Sequence, residues 1–163
     1  MSMRHPPRAT VRAIRASDLE SVVALDARVF GEPRRGYFER RLAALADATQ
    51  ANHIGLVAEE DGVLVGFVLG TLTSGEFGFT ADAALVDSIA VHPDWRRRGI
   101  GRQLAEALFA QAAARGAREV YTLVNWNSWD MLKFFDATGF SLTQTVPLRR
   151  RIDEPEGEGH ERD

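Results

Sequence analysis

The chain has 163 residues, a formal net charge of −3, 45% hydrophobic and 26% charged residues. That length suits one domain with a sizeable core, and the balance is ordinary for a globular protein. No apolar run approaches the ~20 residues of a bilayer span, so no membrane partner is expected. With no cysteine, neither a disulfide nor a thiol nucleophile is available.

Residues 1–9 lack the apolar segment of a secretory signal and are expected to be a flexible lead-in. With the missing cysteines, this gives a cytoplasmic expectation. Thr10 to Ile14 reads as a first strand. Ser17-Asp18-Leu19-Glu20 reads as a capping box opening a helix to Phe30, and Gly31-Glu32-Pro33 breaks it. A second helix is expected from Tyr37 to Asp47. Ile54 to Glu59 and Val63 to Leu72 flank Glu60-Asp61-Gly62, a hairpin signal. Residues 73–82 form a Gly/Thr/Ser-rich loop, and Leu85 to Val91 the next strand. Gly101 to Arg115 has a helical apolar face (Leu104, Leu108, Ala112) stopped by Gly116. Val120 to Val124 reads as β and Ser128 to Thr138 as a helix ended by Gly139. Phe140 to Thr143 and Pro147 to Ile152 are expected as the last two strands. Residues 153–163 hold six acids against one Arg and no apolar side chain, so an acidic disordered tail is expected. The remainder is mildly basic.

The order β-α-α-β-β-β-α-β-α-β-β gives an α/β layered fold, with a right-handed crossover after Val91. The densest information lies at residues 91–102, Val91-His92-Pro93-Asp94-Trp95-Arg96-Arg97-Arg98-Gly99-Ile100-Gly101-Arg102. A strand here feeds a basic, glycine-lined turn at a helix start. The first helical N–H groups have no intrahelical acceptor, the peptide dipoles add positive charge, and glycine lets a phosphate approach the backbone. A phosphate-binding P-loop would need a Gly-Lys-Ser/Thr string, which is absent. A dinucleotide fingerprint would need Gly or Ala where Leu104 stands.

Arg96-x-x-Gly99-x-Gly101, preceded by Ile89-Ala90-Val91-His92-Pro93, resembles the acyl-CoA pyrophosphate loop of GNAT-type N-acetyltransferases. Asn127-Ser128-Trp129-Asp130-Met131-Leu132-Lys133-Phe134-Phe135-Asp136-Ala137-Thr138-Gly139-Phe140 is similar to a later segment of the same family. The resemblance spans residues 10–152 and implies a single domain of GNAT-type acyl-CoA N-acyltransferase fold. Its mixed central sheet would have about six to seven strands, flanked by four helices. It implies acetyl-CoA as cosubstrate, no metal, a small-molecule or protein amine as acceptor, and allows a homodimer. It assigns Arg96, Arg97, Arg98, Gly99, Ile100, Gly101 and Arg102 to the diphosphate. The backbone of Ile89, Ala90 and Val91 goes to the peptide-like arm, and Asn127, Ser128, Phe134 and Phe135 go beside the arm near the sulfur.

Two acid–base groups common in the family are absent. Phe135 stands where a tyrosine is usual, and Leu123 where some relatives carry a glutamate. Asp87 is the candidate base or amine-binding acid: in a regular strand it shares a face with Ile89 and Leu85. Tyr121 is the substitute proton donor. His92 reads as a turn residue beside Pro93. Arg34-Arg35 and Arg40-Arg41 are either an attraction for an acidic acceptor or a solvated helix face. The alternative function is a non-catalytic acyl-CoA-binding or sensing domain. Nucleic-acid binding lacks an aromatic–basic stripe and is not expected.

Overall fold

Asp61 and Gly62 both take positive φ, 51° and 77°, as a two-residue turn matched to the twist of its strands requires. They join β2 (His53–Glu60) to β3 (Val63–Thr73). The computed structural model describes residues 9–75 and 82–152. Residues 1–8 of the lead-in expected over 1–9, most of the 73–82 loop, and the acidic tail 153–163 lie outside the described residues. The chain divides into two units, one up to Ser128 and one from Trp129.

The first unit holds a five-stranded sheet ordered β1-β2-β3-β4-β5. β1 is Thr10–Ala13, β4 Ala83–Val91 and β5 Glu119–Thr122. Neighbours from β1 to β4 are antiparallel, while β5 runs parallel to β4. A parallel neighbour needs a crossover, supplied by α3 (Ile100–Ala114). Two further helices, α1 (Leu19–Phe30) and α2 (Arg35–Ala46), precede β2.

The two sheet faces differ in cover. On one, Val22, Val23 and Leu25 of α1 and Phe38 of α2 pack with Val57, Phe67, Leu69 and Ala90. On the other, α3 lies close over β3, with Leu104 and Ile100 above Gly66 and Leu108 above Gly70. Asp18, not Ser17, holds the N-cap position of α1, and its carboxylate closes the single turn Ala16–Asp18 rather than capping α1. Asp18 accepts from the Arg15 N–H at 2.7 Å and from both Nη atoms of Arg12 at 2.8 Å. That guanidinium holds the Asp18 carboxyl below its ordinary range. Ala9 is buried, and its carbonyl accepts from Gln103 Nε2 at 3.2 Å.

The second unit begins with α4 (Trp129–Ala137). Its end is closed by Gly139 N–H to Asp136 O and Phe140 N–H to Phe135 O, with the Phe140 and Phe135 rings in contact at 4.9 Å. The two strands expected at Phe140 to Thr143 and Pro147 to Ile152 are not formed. Leu142, Val146, Leu148 and Ile152 are 79–96% exposed. Alternation marks an apolar face, but a strand also needs a neighbour for its N–H and C=O groups. Here Thr143 Oγ1 bonds locally with Thr145, and Pro147 has no N–H to give. The sheet among the described residues therefore has five strands, not six to seven.

A Cβ placed on Gly70 would lie 2.9 Å from the Leu85 carbonyl oxygen and 2.9 Å from Leu108 Cδ1. Gly70→Ala is expected to destabilise by about 2 kcal/mol through overpacking, read as a lower urea midpoint at unchanged slope. An unchanged midpoint would contradict the close seating of α3.

Candidate active site

The strand before the basic turn is not regular. Leu69 stands opposite Ser88 and Gly70 opposite Val86, so Asp87 is an extra residue in β4. Such a bulge bends the strand and re-aims side chains. β5 pairs with β4 only from Ala83 to Val86. From the bulge to Val91, the outer edge of β4 therefore has no ladder partner among the described residues. The His92 N–H donates to Val65 O at 2.8 Å, toward β3. By alternation the Ala90 backbone groups also point to β3, and those of Ile89 and Val91 point to the open edge.

The bulge also reassigns faces. Asp87 and Ser88 both meet arginines from the α2 side, Asp87 through Arg41 and Ser88 through Arg34. Ile89 lies opposite Val68, between the glycines under α3. Asp87 thus shares its face with Leu85 but not with Ile89, and the regular alternation assumed from sequence fails at this residue.

After Val91 a single helical turn, Pro93–Trp95, is capped by His92, whose Nδ1 accepts the Asp94 N–H at 3.1 Å. Arg97 and Gly99 then take positive φ, 63° and 77°. Successive N–H groups in such a turn converge into an anion-sized concavity. Gln103 N–H to Gly99 O begins the helical pattern of α3. The backbone N–H groups of Arg97, Arg98, Gly99, Ile100 and Gly101 donate to no acceptor among the described residues. Ile100 is buried and anchors the turn, while Arg96, Arg97, Arg98 and Gly99 are exposed. Arg98 Nη1 is 3.4 Å from Glu60, and Arg102 Nε is 3.2 Å from Glu106.

The acid–base candidates are both engaged. Asp87 Oδ2 accepts from Arg41 Nη2 at 2.7 Å and Thr71 Oγ1 at 2.6 Å, and Oδ1 accepts from no described residue. The Tyr121 hydroxyl donates to Glu119, which raises its pKa by stabilising the protonated form. A second phenol, Tyr37, escaped the sequence reading. Its ring lies between the Arg34 guanidinium, 5.0 Å away, and that of Arg41, 6.0 Å away. Burial raises its pKa. Only the contact pattern across α2 singles it out.

The basic residues of α2 resolve into ion pairs. Arg34 forks onto the fully buried Asp26, Nε to Oδ2 at 3.0 Å and Nη2 to Oδ1 at 2.5 Å. Arg35 meets Glu20 and Glu39. With Arg41 on Asp87, three of the four arginines are matched by acids, which removes most of the net attraction for an acidic acceptor.

After β5, the Ser128 N–H donates to Asn125 O at 2.9 Å, and Asn127 is exposed. In the second unit, Phe135 is buried and Phe134 is half-buried, their rings edge to face at 5.2 Å. Among the described residues no group of acids and histidines could hold a metal, and no helix is long and apolar enough to cross a membrane.

The pattern of the Acetyltransferase (GNAT) family matches residues 19–140. The chain belongs to this family. It is thereby an acyl-CoA-dependent N-acetyltransferase, and the non-catalytic alternative falls away. An acetyltransferase of Pectobacterium atrosepticum is 26% identical over 87% of this chain and 94% of its own length. A mycothiol acetyltransferase of Thermobifida fusca is 42% identical, over 40% of this chain and 19% of its own. The fold is shared with the aminoglycoside N-acetyltransferase AAC(6′)-Iy in complex with CoA. Its TM-score is 0.78 and its identity 21%, covering 93% of this chain and 99% of that one. A likeness also extends to AAC(6′)-Ih of Acinetobacter baumannii, with TM-score 0.75 and 18% identity over 88% and 97%.

Removing the Arg34 fork would leave Asp26 charged and buried. Arg34→Leu is therefore expected to cost about 3 kcal/mol, measured by urea unfolding. A loss below ~1 kcal/mol would contradict a structural role for this pair.

Proposed function

We propose that the protein moves an acetyl group from acetyl-CoA to a primary amine of a small molecule by direct attack. The observation that carries this reading is a continuity. The open edge of β4 runs straight into a turn where five consecutive backbone N–H groups have no acceptor among the described residues. A diphosphate fits those amides, with Arg96, Arg97, Arg98 and Arg102 supplying counter-charge. The amide-bearing arm fits the Ile89 and Val91 edge as an added strand. Its thioester end then falls at the bulge. Asn127 and Ser128, which follow β5 in the same unit, are proposed to lie beside the arm near the sulfur.

In the reaction the neutral amine nitrogen bonds to the thioester carbon, the carbon–sulfur bond breaks, and the nitrogen gives up a proton to water as the amide forms. The thiolate takes a proton from solvent. An amine is protonated at neutral pH and must lose a proton first. Asp87 Oδ1 is the group proposed to meet that ammonium, with the proton passing on to water. Holding amine and thioester together supplies much of the rate gain. The aminoglycoside acetyltransferases of like fold support a small-molecule amine as acceptor.

Gly99 carries the test of the cofactor site. Its Cβ position is open, but its φ of 77° strains any other residue equally. Gly99→Ala and Gly99→Glu should therefore lose similar stability, about 1 kcal/mol. Only Gly99→Glu, which sets a carboxylate against the phosphates, should weaken CoA about a hundredfold by calorimetry. Equal CoA affinity in both variants would overturn the loop assignment. Saturable thiol release from acetyl-CoA is expected within a panel of small primary amines that includes neamine. Turnover on peptide amines alone would overturn the small-molecule acceptor.

A further inference from the structure

Two arginine–aspartate pairs lie on one face of the α2 segment, and they are built differently. Arg34 presents Nε and Nη2 to both oxygens of Asp26. This is a bidentate fork, two parallel N–H···O bonds from one guanidinium to one carboxylate. Asp26 is fully buried and has no oxygen to spare. Arg41 presents a single nitrogen, Nη2, to a single oxygen, Oδ2 of Asp87. Its Nη1 goes to Thr71 Oγ1 at 2.9 Å, and Nη2 is also 3.1 Å from Gly70 O. Its Nε is buried with no acceptor among the described residues. This arrangement leaves Asp87 Oδ1 without a partner among the described residues.

Thr71 completes the device. Its hydroxyl accepts from Arg41 Nη1 and donates to Asp87 Oδ2, so both of its roles are used. Tyr37 fills the space between the two guanidiniums, which limits how far Arg41 can swing. The carboxylate is held by one oxygen at the residue where β4 bulges and β5 falls away. A buried polar atom left without a partner beside a half-satisfied carboxylate marks geometry kept for something other than stability.

We propose that Arg41, with Thr71, is a positioning residue that aims Asp87 Oδ1 at the acceptor's primary ammonium group. Arg41 itself touches no substrate. This rests on the reading of Asp87 as the amine-binding carboxylate. It adds that amine recognition depends on a side chain of α2, and it names the acceptor chemistry as a compact primary ammonium presented to a single carboxylate oxygen.

The test uses the full-length enzyme, acetyl-CoA and neamine as the probe amine. It reads kcat and KM for the amine, CoA affinity, and the 13C carboxyl resonance of Asp87 during neamine titration. Arg41→Gln is expected to raise the neamine KM about tenfold and to lower kcat, with CoA affinity within about twofold of wild type. Arg41→Lys should recover part of the loss, because an ammonium can still hold Oδ2 without the planar fork. Thr71→Val, nearly isosteric, should show a smaller rise in KM that Thr71→Ser largely reverses, and it serves where Arg41→Gln does not fold. The Asp87 resonance should shift saturably with neamine in wild type and need more neamine in the variants. Variants that lose only thermal stability, with the amine KM unchanged, would overturn the positioning role while leaving Asp87 in place. Asp87→Asn with unchanged amine kinetics, or a wild-type resonance indifferent to neamine, would overturn the Asp87 reading and the proposal together. Loss of CoA affinity in every variant would instead show that the cluster only supports the cofactor edge.

Discussion

The architecture of the site depends on one backbone event, the extra residue at Asp87. β4 carries an antiparallel ladder with β3 on one side and a parallel ladder with β5 on the other, and the bulge bends the strand where the parallel ladder ends. β3 keeps its pairing as far as Val91, and β5 stops at Val86. The consequence is an edge in the middle of a protein. Unpaired strand edges are a liability that proteins normally cover. Here the uncovered stretch leads directly into a turn whose amides are also uncovered. Two neighbouring segments with open hydrogen-bonding groups fit one elongated ligand with an amide-bearing arm and an anionic end.

Packing makes that opening durable. α3 is held against β3 by side chains that need the missing Cβ atoms of Gly66 and Gly70. Ile100 and Leu104 are buried from the first turn onward. The mouth of α3 is therefore fixed by its own apolar anchor rather than by hydrogen bonds to its amides. On the opposite sheet face, the α2 arginines are tied to acids on α1 and β4. The same contacts that hold α2 down also determine how Asp87 is presented.

Most of this was legible in residue order. The Asp61-Gly62 hairpin, the apolar stripe of α3, and the glycine–arginine turn each state their conformation locally, through φ requirements and helical spacing. The bulge was not legible. Val86-Asp87-Ser88 carries no Gly or Pro to announce it, so strict alternation placed Asp87 on the wrong face from Ile89. The strands expected at Phe140 to Thr143 and Pro147 to Ile152 failed for a related reason. Periodicity reports which side of a strand would be apolar, not whether a partner ladder exists. Tyr37 and Arg41 were hidden because a helix arginine four residues from a tyrosine reads as solvated surface. Only its tertiary partners, Thr71 and Asp87, give it a role.

The most direct test of the central claim is an amide-resolved NMR titration comparing CoA with pantetheine. CoA should shift the amides of Ile89 and Val91 together with those of Arg97 to Gly101. Pantetheine, which lacks the diphosphate, should move the two strand amides and leave the turn unchanged. If both ligands shift the same set, or neither touches residues 97–101, the open edge and the open turn do not hold one cofactor, and the account of this site is wrong.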